Sequence, residues 1–477
     1  MTPTRRTIRK TKIVATIGPA CFDIETLALM IEAGMNVARF NFSHGTHEEH
    51  AEQLELVRVA SQRVGVPVAT MLDTKGAEIR TGHVKDGSVE LPSGSMFRLY
   101  ASDRSGDASG VSVSFPDLIR QVEPGRTILL NDGRLELLVQ EVEKGALVCN
   151  VVRGGELTTH RGINIPGQRI PVDGLDEANQ ADLEFAVTNN MDYVAASFMQ
   201  HPSDVHAIRR FLQARDTPIR IMAKIENAEG LKHLQGIVDA ADGTMVARGD
   251  LGVELPPADV PVVQKRIIRT TVSGGKPVIT ATQMLDSMER NPKPTRAEAS
   301  DVANAVLDGT SAVMLSGETA RGRYPVESVL TMSELALGAE TSLREYGYLQ
   351  QINPNRQPVV TEAIGQAAIT MADRLRAAAI VTLTESGFTS RQISKYRPLC
   401  PIVAVTTSRD VVRRLALNWD VTATYYDGDP ADDKKINAGI EWARSQGFVA
   451  SGDVIVVTAG ISNREGSTNM LRIVRVT

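Results

Sequence analysis

Short runs of β-branched and apolar residues alternate with longer amphipathic stretches through the first 345 residues of the chain. Eight of the short runs have the composition of buried parallel strands: Lys12–Ile17, Asn36–Asn41, Val68–Asp73, Tyr193–Ser197, Arg220–Ile225, Thr244–Arg248, Pro277–Thr280 and Ala312–Leu315. Helical periodicity is found in the intervening stretches, including Glu25–Ala33, His47–Arg63, Gln180–Asn189, Val260–Ser273 and Arg296–Leu307. Eight strand-helix units in one domain predict a closed (β/α)₈ barrel, an α/β fold of the TIM-barrel type.

The alternation is interrupted between the third and fourth predicted strands. Residues 81–166 contain no convincing helix and carry a hairpin turn signal, Asn131-Asp132-Gly133. Short alternating runs flank that signal: Val111–Phe115, Thr127–Leu130, Leu135–Val139 and Ala146–Val152. We therefore expect a small all-β lid domain, residues 81–166, inserted into a barrel that comprises residues 1–80 and 167–345.

A second alternation over residues 354–477 predicts a separate C-terminal α/β domain. Its expected helices cover residues 361–375, 389–396, 409–417 and 430–446. Its expected strands cover residues 379–383, 402–406, 421–425, 453–458 and 470–476.

The composition removes several functional classes. Lys and Arg number 52 against 57 Asp and Glu, and the net charge of −5 gives no reason to expect nucleic acid or an anionic membrane as partner. Three scattered cysteines, Cys21, Cys149 and Cys400, make neither a disulfide framework nor a CxxC metal site. No apolar run approaches the roughly 18 residues of a membrane span, and no secretory signal follows the basic N-terminus. We expect a soluble, cytoplasmic protein.

Polar residues cluster at the C-terminal ends of six of the predicted strands, which is where barrel enzymes gather their chemistry. In chain order, the clusters contain Arg39, Asn41, Ser43 and His44; Asp73, Thr74, Glu78 and Arg80; Lys224 and Glu226; Gly249 and Asp250; Thr282; and Ser316 and Glu318. Taken singly, each cluster has an ordinary explanation as a solvated face, a turn or a helix cap. Six such clusters at one end of a barrel favour a common active site.

Residue type separates these clusters by chemistry. Glu226 and Asp250 offer hard carboxylate oxygens from neighbouring strands, which suit a Mg²⁺ ion that keeps its other positions for water or substrate. Lys224 lies two residues from Glu226 on a strand and points to the same side, where it would neutralise a transferring phosphoryl group or an enolate oxygen. Four further oxygen donors with one formal charge suit a monovalent cation: Asn41, Ser43, Asp73 and Thr74.

Groups suited to an anionic substrate occur in the same clusters. A turn at Gly249 and Asp250 would offer main-chain N–H groups to a carboxylate, with the Thr282 hydroxyl as a further donor. Arg39 and Arg80 would supply fork-shaped contacts to phosphate.

Two features admit more than one interpretation. Ser316 and Glu318 fit a cap of the next helix and a role in a proton relay equally well. The spacing of three histidines, His44, His47 and His50, resembles that of a metal site. We expect instead that His47 and His50 are solvated on an exposed first helical turn. His44, in the preceding loop, is the histidine expected to reach a nucleotide.

The strings at these strand ends resemble those of the pyruvate kinase family. The similar segments cover the barrel almost end to end: Asn36–Gly45, Leu72–Gly82, Ala223–Asn227, Val246–Glu254, Thr280–Met288, Asn291–Asp308 and Met314–Ala320. The inserted and C-terminal domains fall where that family has its mobile lid and its regulatory domain. The resemblance implies transfer of a phosphoryl group from phosphoenolpyruvate to ADP, giving ATP and pyruvate in the last step of glycolysis, with Mg²⁺ (or Mn²⁺) and K⁺, in a homotetramer.

The resemblance also implies roles for individual residues. Lys224 matches the lysine that stabilises the transition state, and Glu226 with Asp250 matches the Mg²⁺ ligands. Contacts to phosphoenolpyruvate are implied for Arg39, Lys224, Gly249, Asp250 and Thr282, K⁺ ligation for Asn41, Ser43, Asp73 and Thr74, and nucleotide contacts for His44, Arg80 and Arg161. Proton delivery to the enolate is expected near Thr282 and Ser316, with Glu318 as a further member. An acid at Glu78 matches the members that require K⁺, so K⁺ dependence is expected.

In the C-terminal domain, a helix opens with hydroxyls and a glycine, a plausible phosphate cradle or simply a capped start. It is similar to the family's effector loop, and the residues implied are Thr384, Ser386, Gly387, Thr389 and Ser390, with residues 460–469 as a second loop. We therefore expect activation by a phosphorylated metabolite of unspecified identity. The chain departs from the common family pattern at Ala77, Asn131, Arg161 and Asp420.

Two other classes of function stay open at this point. A barrel lyase or aldolase that acts on an enolate through Mg²⁺ would use the same lysine and acids, but would need no monovalent site, lid or nucleotide contacts. A catalytically silent scaffold or metabolite sensor would keep the domains and tolerate loss of Lys224 or Thr282. ATP formation from phosphoenolpyruvate and ADP distinguishes these classes.

Overall fold

Alternating strands and helices begin the described chain, as the hydrophobic pattern predicts. The computed structural model describes residues 9–76, 78–168, 175–347, 360–460, 466 and 468–477. The first elements are β1 (Lys12–Thr16), α1 (Ile24–Ala33), β2 (Val37–Asn41), α2 (His47–Val64) and β3 (Ala69–Asp73). Helix α2 begins at a capping box in which Thr46 and Glu49 satisfy each other's main-chain N–H groups, a local signal for its start.

The inserted domain follows β3 and has its own hydrophobic core. It contains β4 (Ser88–Leu91), β5 (Met96–Tyr100), β6 (Gly110–Ser112), α3 (Leu118–Gln121), β7 (Thr127–Leu130), β8 (Leu135–Glu143), β9 (Ala146–Arg153), β10 (Gly155–Thr158) and β11 (Ile163–Asn164). Six of these strands form one sheet in the order β11-β7-β8-β9-β5-β6, and β4 pairs with β10. The predicted all-β insertion is thus confirmed, with one four-residue helix added.

The chain then returns to the barrel. The elements are α4 (Glu177–Thr188), β12 (Tyr193–Ala196), α5 (Pro202–Gln213), β13 (Arg220–Ile225), α6 (Ala228–Lys232), α7 (Leu234–Ala240), β14 (Gly243–Ala247), α8 (Arg248–Glu254), α9 (Val260–Ser273), β15 (Val278–Ala281), α10 (Arg296–Leu307), β16 (Ala312–Leu315), α11 (Gly317–Ala320), α12 (Pro325–Thr341) and α13 (Leu343–Tyr346). Eight parallel strands close in the order β1-β16-β15-β14-β13-β12-β3-β2. The predicted (β/α)₈ barrel is confirmed, and each predicted strand lies within a residue of the observed one.

The C-terminal domain is a second α/β unit. Its elements are α14 (Val360–Leu375), β17 (Ala379–Leu383), α15 (Phe388–Ser394), β18 (Ile402–Thr406), α16 (Arg409–Leu415), β19 (Val421–Tyr425), α17 (Asp432–Ser445), β20 (Val454–Gly460) and β21 (Thr468–Arg475). The sheet order is β19-β18-β17-β20-β21, with β21 antiparallel to its neighbour. Among the residues described, no helix combines the length and the apolar character needed to cross a membrane.

The C-terminal domain covers the N-terminal end of the barrel. Leu417 is fully buried in the same apolar cluster as Met71 and Met222 from the barrel strands. The hydroxyl of Tyr193 donates to the main-chain oxygen of Arg414 at 2.6 Å, so the two domains also share polar contacts. The catalytic chemistry predicted from the sequence lies at the opposite, C-terminal end of the strands.

Candidate active site

Four charged side chains from three barrel strands meet at the C-terminal end of the barrel. Asp73 accepts a hydrogen bond from Arg39 Nε at 2.6 Å, and its other oxygen lies 3.0 Å from Lys224 Nζ. Lys224 Nζ is also 3.0 Å from Glu226 Oε1 and donates to Ser197 Oγ at 2.7 Å. The sequence places these charges at the ends of three strands, and the barrel brings them together.

Burial and charge together set the protonation of this group. Burial opposes ionisation of Asp73, but the nearby Arg39 and Lys224 outweigh that effect and lower its pKa. Burial likewise opposes the charge of Lys224, and the carboxylates of Asp73 and Glu226 more than compensate, so its pKa is raised. Lys224 is therefore a permanently charged group.

Glu226 and Asp250 have properties that suit a divalent cation. Burial, followed by the negative charge of Asp250, raises the pKa of Glu226 to about 7 despite the proximity of Lys224. Burial also raises the pKa of Asp250, and Asp73 and Glu78 add to the effect. A buried carboxylate and a partly buried one, whose charges are insufficiently neutralised, fit the donor set of Mg²⁺. Glu226 is further held by the main-chain N–H of Phe198.

The four residues expected to bind a monovalent cation lie on neighbouring strands. Asn41 at the end of β2 is directly opposite Asp73 at the end of β3 in the parallel register. Asn41 Oδ1 accepts from Ser43 N at 3.3 Å, and Thr74 is buried with its main-chain oxygen accepting from Ser197 Oγ at 2.7 Å. Their uncharged oxygens with a single carboxylate fit K⁺ better than a divalent ion.

Gly249 and Thr282 are also brought together, with one correction to the expected local structure. The predicted turn at Gly249 and Asp250 is instead the first turn of helix α8. The main-chain N–H of Gly249 donates to Thr282 Oγ1 at 2.8 Å. Thr282 has a φ of 68°, an unfavourable left-handed conformation for a β-branched residue.

Arg248 holds the strained segment that contains Thr282. Its Nη2 donates to the main-chain oxygen of Thr282 at 2.6 Å, while its Nη1 pairs with Asp301 at 2.6 Å. Sequence reasoning gave Arg248 and Ser197 no function, although both lie at or next to strand ends. Their position at the end of a predicted strand was the sequence signal that could have identified both residues as members of the site.

Ser316 and Glu318 lie after β16 and are linked through the main chain. Buried Glu318 accepts from the N–H of Ser316 at 2.7 Å and from the N–H of Leu285 at 3.0 Å. Burial raises the pKa of Glu318. The hydroxyl of Ser316 makes no capping bond to helix α11. The carboxylate of Glu318 thus fixes the main chain at Ser316 and at Leu285.

The two arginines expected to contact nucleotide lie where the lid joins the barrel. Arg80 forms an antiparallel bridge with Gly162, and Arg161 N donates to Thr81 Oγ1 at 2.9 Å. Arg80 forms an ion pair with Glu78. His44 is exposed in the loop after β2, at the same end of the barrel but on a different element.

The expected exposure of His50 is wrong, and that of His47 holds only in part. His50 is buried, stacks on Phe42 at 4.2 Å between ring centroids, and contacts the main-chain oxygen of His44 at 2.8 Å. His47 is partly buried and lies 2.7 Å from an oxygen of Asp182. Phe42 in the preceding loop packs on His50 and buries it. The acidic residues around His50 in the sequence gave no sign of this burial.

The expected effector loop is compact and partly satisfied by its own hydrogen bonds. Thr384 Oγ1 accepts from Gly387 N at 2.9 Å, and Gly387 has a φ of 80°. The hydroxyls of Thr389 and Ser390 are buried in 2.7 Å contacts with Thr468 and Thr382, respectively. The Ser386 hydroxyl is the more accessible one. Of the second expected loop, residues 461–465 and 467 lie outside the described residues, as does Ala77.

Two further departures from the common family pattern, Asn131 and Asp420, have left-handed backbone conformations. Asn131 has a φ of 52° and Asp132 one of 55°, in the hairpin turn between β7 and β8, a conformation that Asn tolerates well. Asp420 is buried with a φ of 55° and lies 3.0 Å from Lys10 Nζ.

Comparisons with known proteins identify the family and the fold. A family model described as the pyruvate kinase barrel domain matches residues 8–329, and one described as the pyruvate kinase alpha/beta domain matches residues 362–474. The chain is 49% identical to a pyruvate kinase of Geobacillus stearothermophilus over 469 residues, covering 98% of this chain and 80% of that protein. It is 44% identical to a pyruvate kinase of Clostridium acetobutylicum, covering 98% and 99%. A crystal structure of a Cryptosporidium parvum pyruvate kinase superposes with a TM-score of 0.94 at 38% identity, covering 98% and 96%.

Proposed function

Because the chain belongs to the pyruvate kinase family, we propose that Lys224, Glu226 and Asp250 form the centre at which it transfers the phosphoryl group of phosphoenolpyruvate to ADP. The products of this reaction are ATP and pyruvate. Phosphoryl transfer demands positioning and charge neutralisation more than covalent catalysis, and the described side chains offer both.

Lys224 is the group proposed to stabilise the transferring phosphoryl group and the enolate that remains. Its ammonium is held by Asp73, Glu226 and Ser197, so it needs little reorganisation as negative charge develops. Arg39 is fixed by Asp73 and by Thr16 Oγ1 at 2.8 Å, which presents its remaining N–H groups to phosphate in one orientation.

Glu226 and Asp250 are proposed to hold Mg²⁺, or Mn²⁺ in its place. When bound, such a cation neutralises phosphoryl and enolate oxygens. A K⁺ ion is proposed for the second donor set: Asn41, Ser43, Asp73 and Thr74. The substrate carboxylate would be received by the first turn of α8 at Gly249 and Asp250, with Thr282 as a further donor.

Protonation of the enolate is proposed to occur on the side of Thr282 and Ser316. The Ser316 hydroxyl makes no capping bond to helix α11. The carboxylate of Glu318 orients the main chain at Ser316 by accepting from its N–H group. In this scheme Glu318 is a positioning residue. His44, Arg80 and Arg161 are proposed to contact the nucleotide, with the lid bringing Arg161 to the barrel.

The C-terminal domain is proposed to regulate the enzyme. A phosphorylated metabolite would bind the loop of Thr384, Ser386, Gly387, Thr389 and Ser390 and activate the enzyme. Since the side chains of Thr384, Thr389 and Ser390 are buried, Ser386 and the main-chain N–H groups would make the phosphate contacts. We propose a cytoplasmic homotetramer, with the barrel formed by residues 1–80 and 167–345, the lid by 81–166 and the regulatory domain by 354–477.

The observation that carries this function is the position of Lys224 Nζ, 3.0 Å from both Asp73 and Glu226 at the open end of the barrel. The test is an assay of the purified chain with phosphoenolpyruvate, Mg²⁺ and K⁺, with and without ADP. Pyruvate and ATP should form in equal amounts, and omission of ADP should abolish both. Pyruvate release without ADP would indicate a different enolate chemistry, and no turnover at all would indicate a sensor.

A matched pair of variants assigns the divalent site. Glu226→Gln should raise the Mg²⁺ concentration needed for half-maximal rate. Glu229→Gln, three residues further along and paired with Lys232, should leave it unchanged. Equal behaviour of the two variants would count against Glu226 as a ligand.

A further inference from the structure

Helix α8 joins the proposed divalent-cation site to the lid. Its first turn carries Gly249 and Asp250, and its last residue is Glu254. A helix of 7 residues is only about 10 Å long. The two ends of α8 therefore move together, and a contact at its last turn bears on the position of Asp250.

The last turn of α8 meets the lid at two points. The hairpin turn at Gly133 packs beside Val253, since a Cβ atom at that glycine would lie 3.4 Å from Val253 Cγ1. Glu254 accepts a hydrogen bond from the side chain of Asn164, which lies on strand β11, where the chain leaves the lid for the barrel. The lid is thus in contact with the helix that carries Asp250.

The same carboxylate also holds the loop that follows Glu226. Glu254 Oε2 accepts from the main-chain N–H of Ala228 at 3.0 Å. Ala228 is the first residue of helix α6 and lies two positions after Glu226. Glu254 therefore connects three parts of the molecule: the lid, the helix of Asp250 and the loop of Glu226.

Glu254 keeps this position without a cationic partner. In the part of the chain that the structure describes, no Lys, Arg or His contributes to the electrostatic environment of its partly buried side chain. Burial raises the pKa of Glu254, and the charge of Glu229 adds to the effect. An acid withdrawn from water without a counter-charge lowers stability, and acids in this state are common at functional sites.

The opposite side of the Glu226 carboxylate is held as well. The main-chain N–H of Phe198 donates to Glu226 Oε2, and Phe198 has a left-handed backbone with a φ of 56°. Glu226 is thus fixed directly by Phe198 and through its own loop by Glu254. Groups that orient ligating carboxylates in this way are a main determinant of metal affinity.

We propose that Glu254 is a positioning residue for the divalent cation. It keeps the carboxylates of Glu226 and Asp250 at a fixed spacing, and its hydrogen bond with Asn164 connects that spacing to the lid. This role rests on the proposed function, in which Glu226 and Asp250 hold the cation.

The test is calorimetric titration of the metal-free full chain with Mn²⁺, in the absence of substrates. Glu254→Ala should bind Mn²⁺ about tenfold more weakly or worse, which is the usual effect of removing a group that orients metal ligands. Glu254→Gln should keep most of the affinity, because its amide oxygen can still accept from the N–H of Ala228. Glu254→Asp is one methylene shorter and should lose affinity as Glu254→Ala does, so it provides the measurement if the alanine variant folds poorly.

Asn164→Ala tests the connection to the lid. It should weaken Mn²⁺ binding by a smaller factor than Glu254→Ala, because Glu254 keeps its bond to Ala228. Added to Glu254→Ala, it should have no further effect, because the hydrogen bond between the two residues is already absent. Losses that multiply in the double variant would show that the two residues act separately, and would overturn the proposed connection.

Two further variants complete the experiment. The exposed Glu55→Ala on helix α2 should bind Mn²⁺ as the unaltered chain does. Unchanged affinity in Glu254→Ala, or an equal loss in Glu254→Gln, would overturn the positioning role. Glu226→Gln separates this role from the proposed function: if it weakens Mn²⁺ binding and Glu254→Ala does not, only the role of Glu254 is wrong. If Glu226→Gln also binds normally, the cation lies elsewhere and both proposals fail.

Discussion

Asp73, which is buried, and Lys224, which is partly buried, are joined by an ion pair of 3.0 Å that connects the ends of β3 and β13 at the barrel mouth. The same carboxylate accepts from Arg39, so one acid orients two cations that face the proposed phosphoryl site. Asp73 therefore has a structural part in the centre in addition to its proposed contact with K⁺.

Lys224→Met is expected to reduce turnover by orders of magnitude while phosphoenolpyruvate still binds. The lost charge acts mainly on the transition state, so kcat should fall far more than binding. Steady-state kinetics and direct titration with phosphoenolpyruvate measure the two effects separately. The exposed Lys232→Met serves as the matched control and should keep full activity. Near-normal turnover in Lys224→Met would show that another group neutralises the phosphoryl charge.

Divalent-cation affinity is expected to fall as pH decreases below about 7. The pKa of Glu226 is raised from 4.5 to about 7, so the metal-free site binds a proton that competes with the cation. Each unit of pH below that value should cost up to about a tenfold loss of affinity.

The same pKa shift affects the free energy of unfolding of the metal-free chain. Because the folded-state pKa is raised, the stabilising contribution of Glu226 is present below its ordinary pKa and is lost as pH rises through about 7.

Titration of the metal-free chain with Mn²⁺ between about pH 6 and pH 8 measures this effect. Glu226→Gln should bind more weakly and with a smaller pH dependence, the remainder coming from Asp250, whose pKa is also raised by burial. A Mn²⁺ affinity that is constant across this range would contradict the prediction.

The barrel could be predicted from the sequence because its buried strands are short, apolar and regularly spaced. Ala312–Leu315 and Arg220–Ile225 were predicted with the observed bounds. The lid was harder, since Ser88–Leu91 is mostly exposed or half-exposed and Ile163–Asn164 is only two residues long, so neither gives a clear alternating pattern. Strand alternation needs several residues before it can be distinguished from a loop.

The centre was predictable to the extent that it lies at strand ends. Lys224, Glu226 and Asp73 were all singled out by that rule, and the barrel brings them within contact. The supporting contacts were not predictable. The hydrogen bond from Arg248 to the main-chain oxygen of Thr282 depends on the left-handed conformation of Thr282, which the sequence pattern does not indicate. The burial of His50 likewise depends on the stacking of Phe42 from a preceding loop.

Glu78→Lys is expected to reduce the dependence of the rate on K⁺. Glu78 adds negative charge near Asp250, and a lysine in its place would supply a positive charge without a bound ion. The same change removes the ion-pair partner of Arg80, so the KM for ADP should rise. Rates in KCl and in tetramethylammonium chloride compare the two conditions. Glu78→Gln is the neutral control and should stay K⁺-dependent; if the unaltered chain is equally active in both salts, the proposed K⁺ requirement is wrong.

Asp420→Asn is expected to change how the free energy of unfolding depends on pH. Burial raises the pKa of Asp420 from 3.8 to about 7, with Lys10 opposing the shift. Because the folded-state pKa is raised, the stabilising contribution of Asp420 is present below its ordinary pKa and is lost as pH rises through about 7. Asn has no such titration and also tolerates the positive φ at this position. Between about pH 5 and pH 8 the unaltered chain should therefore lose about 1–3 kcal/mol relative to Asp420→Asn.

Denaturant unfolding of both chains across this pH range gives the difference directly. Burial, followed by the charge of Arg9, lowers the pKa of Lys12 to about 8, so its contribution has the opposite sign and falls mainly above about pH 8, outside this range. Since Lys12 is present in both chains, comparison of the two isolates most of the contribution of Asp420. The exposed Asp432→Asn controls for loss of a negative charge in the same domain and should follow the unaltered chain. Parallel curves for the unaltered chain and Asp420→Asn would mean that Asp420 stays ionised throughout, stabilised by the ion pair with Lys10 more strongly than its burial opposes.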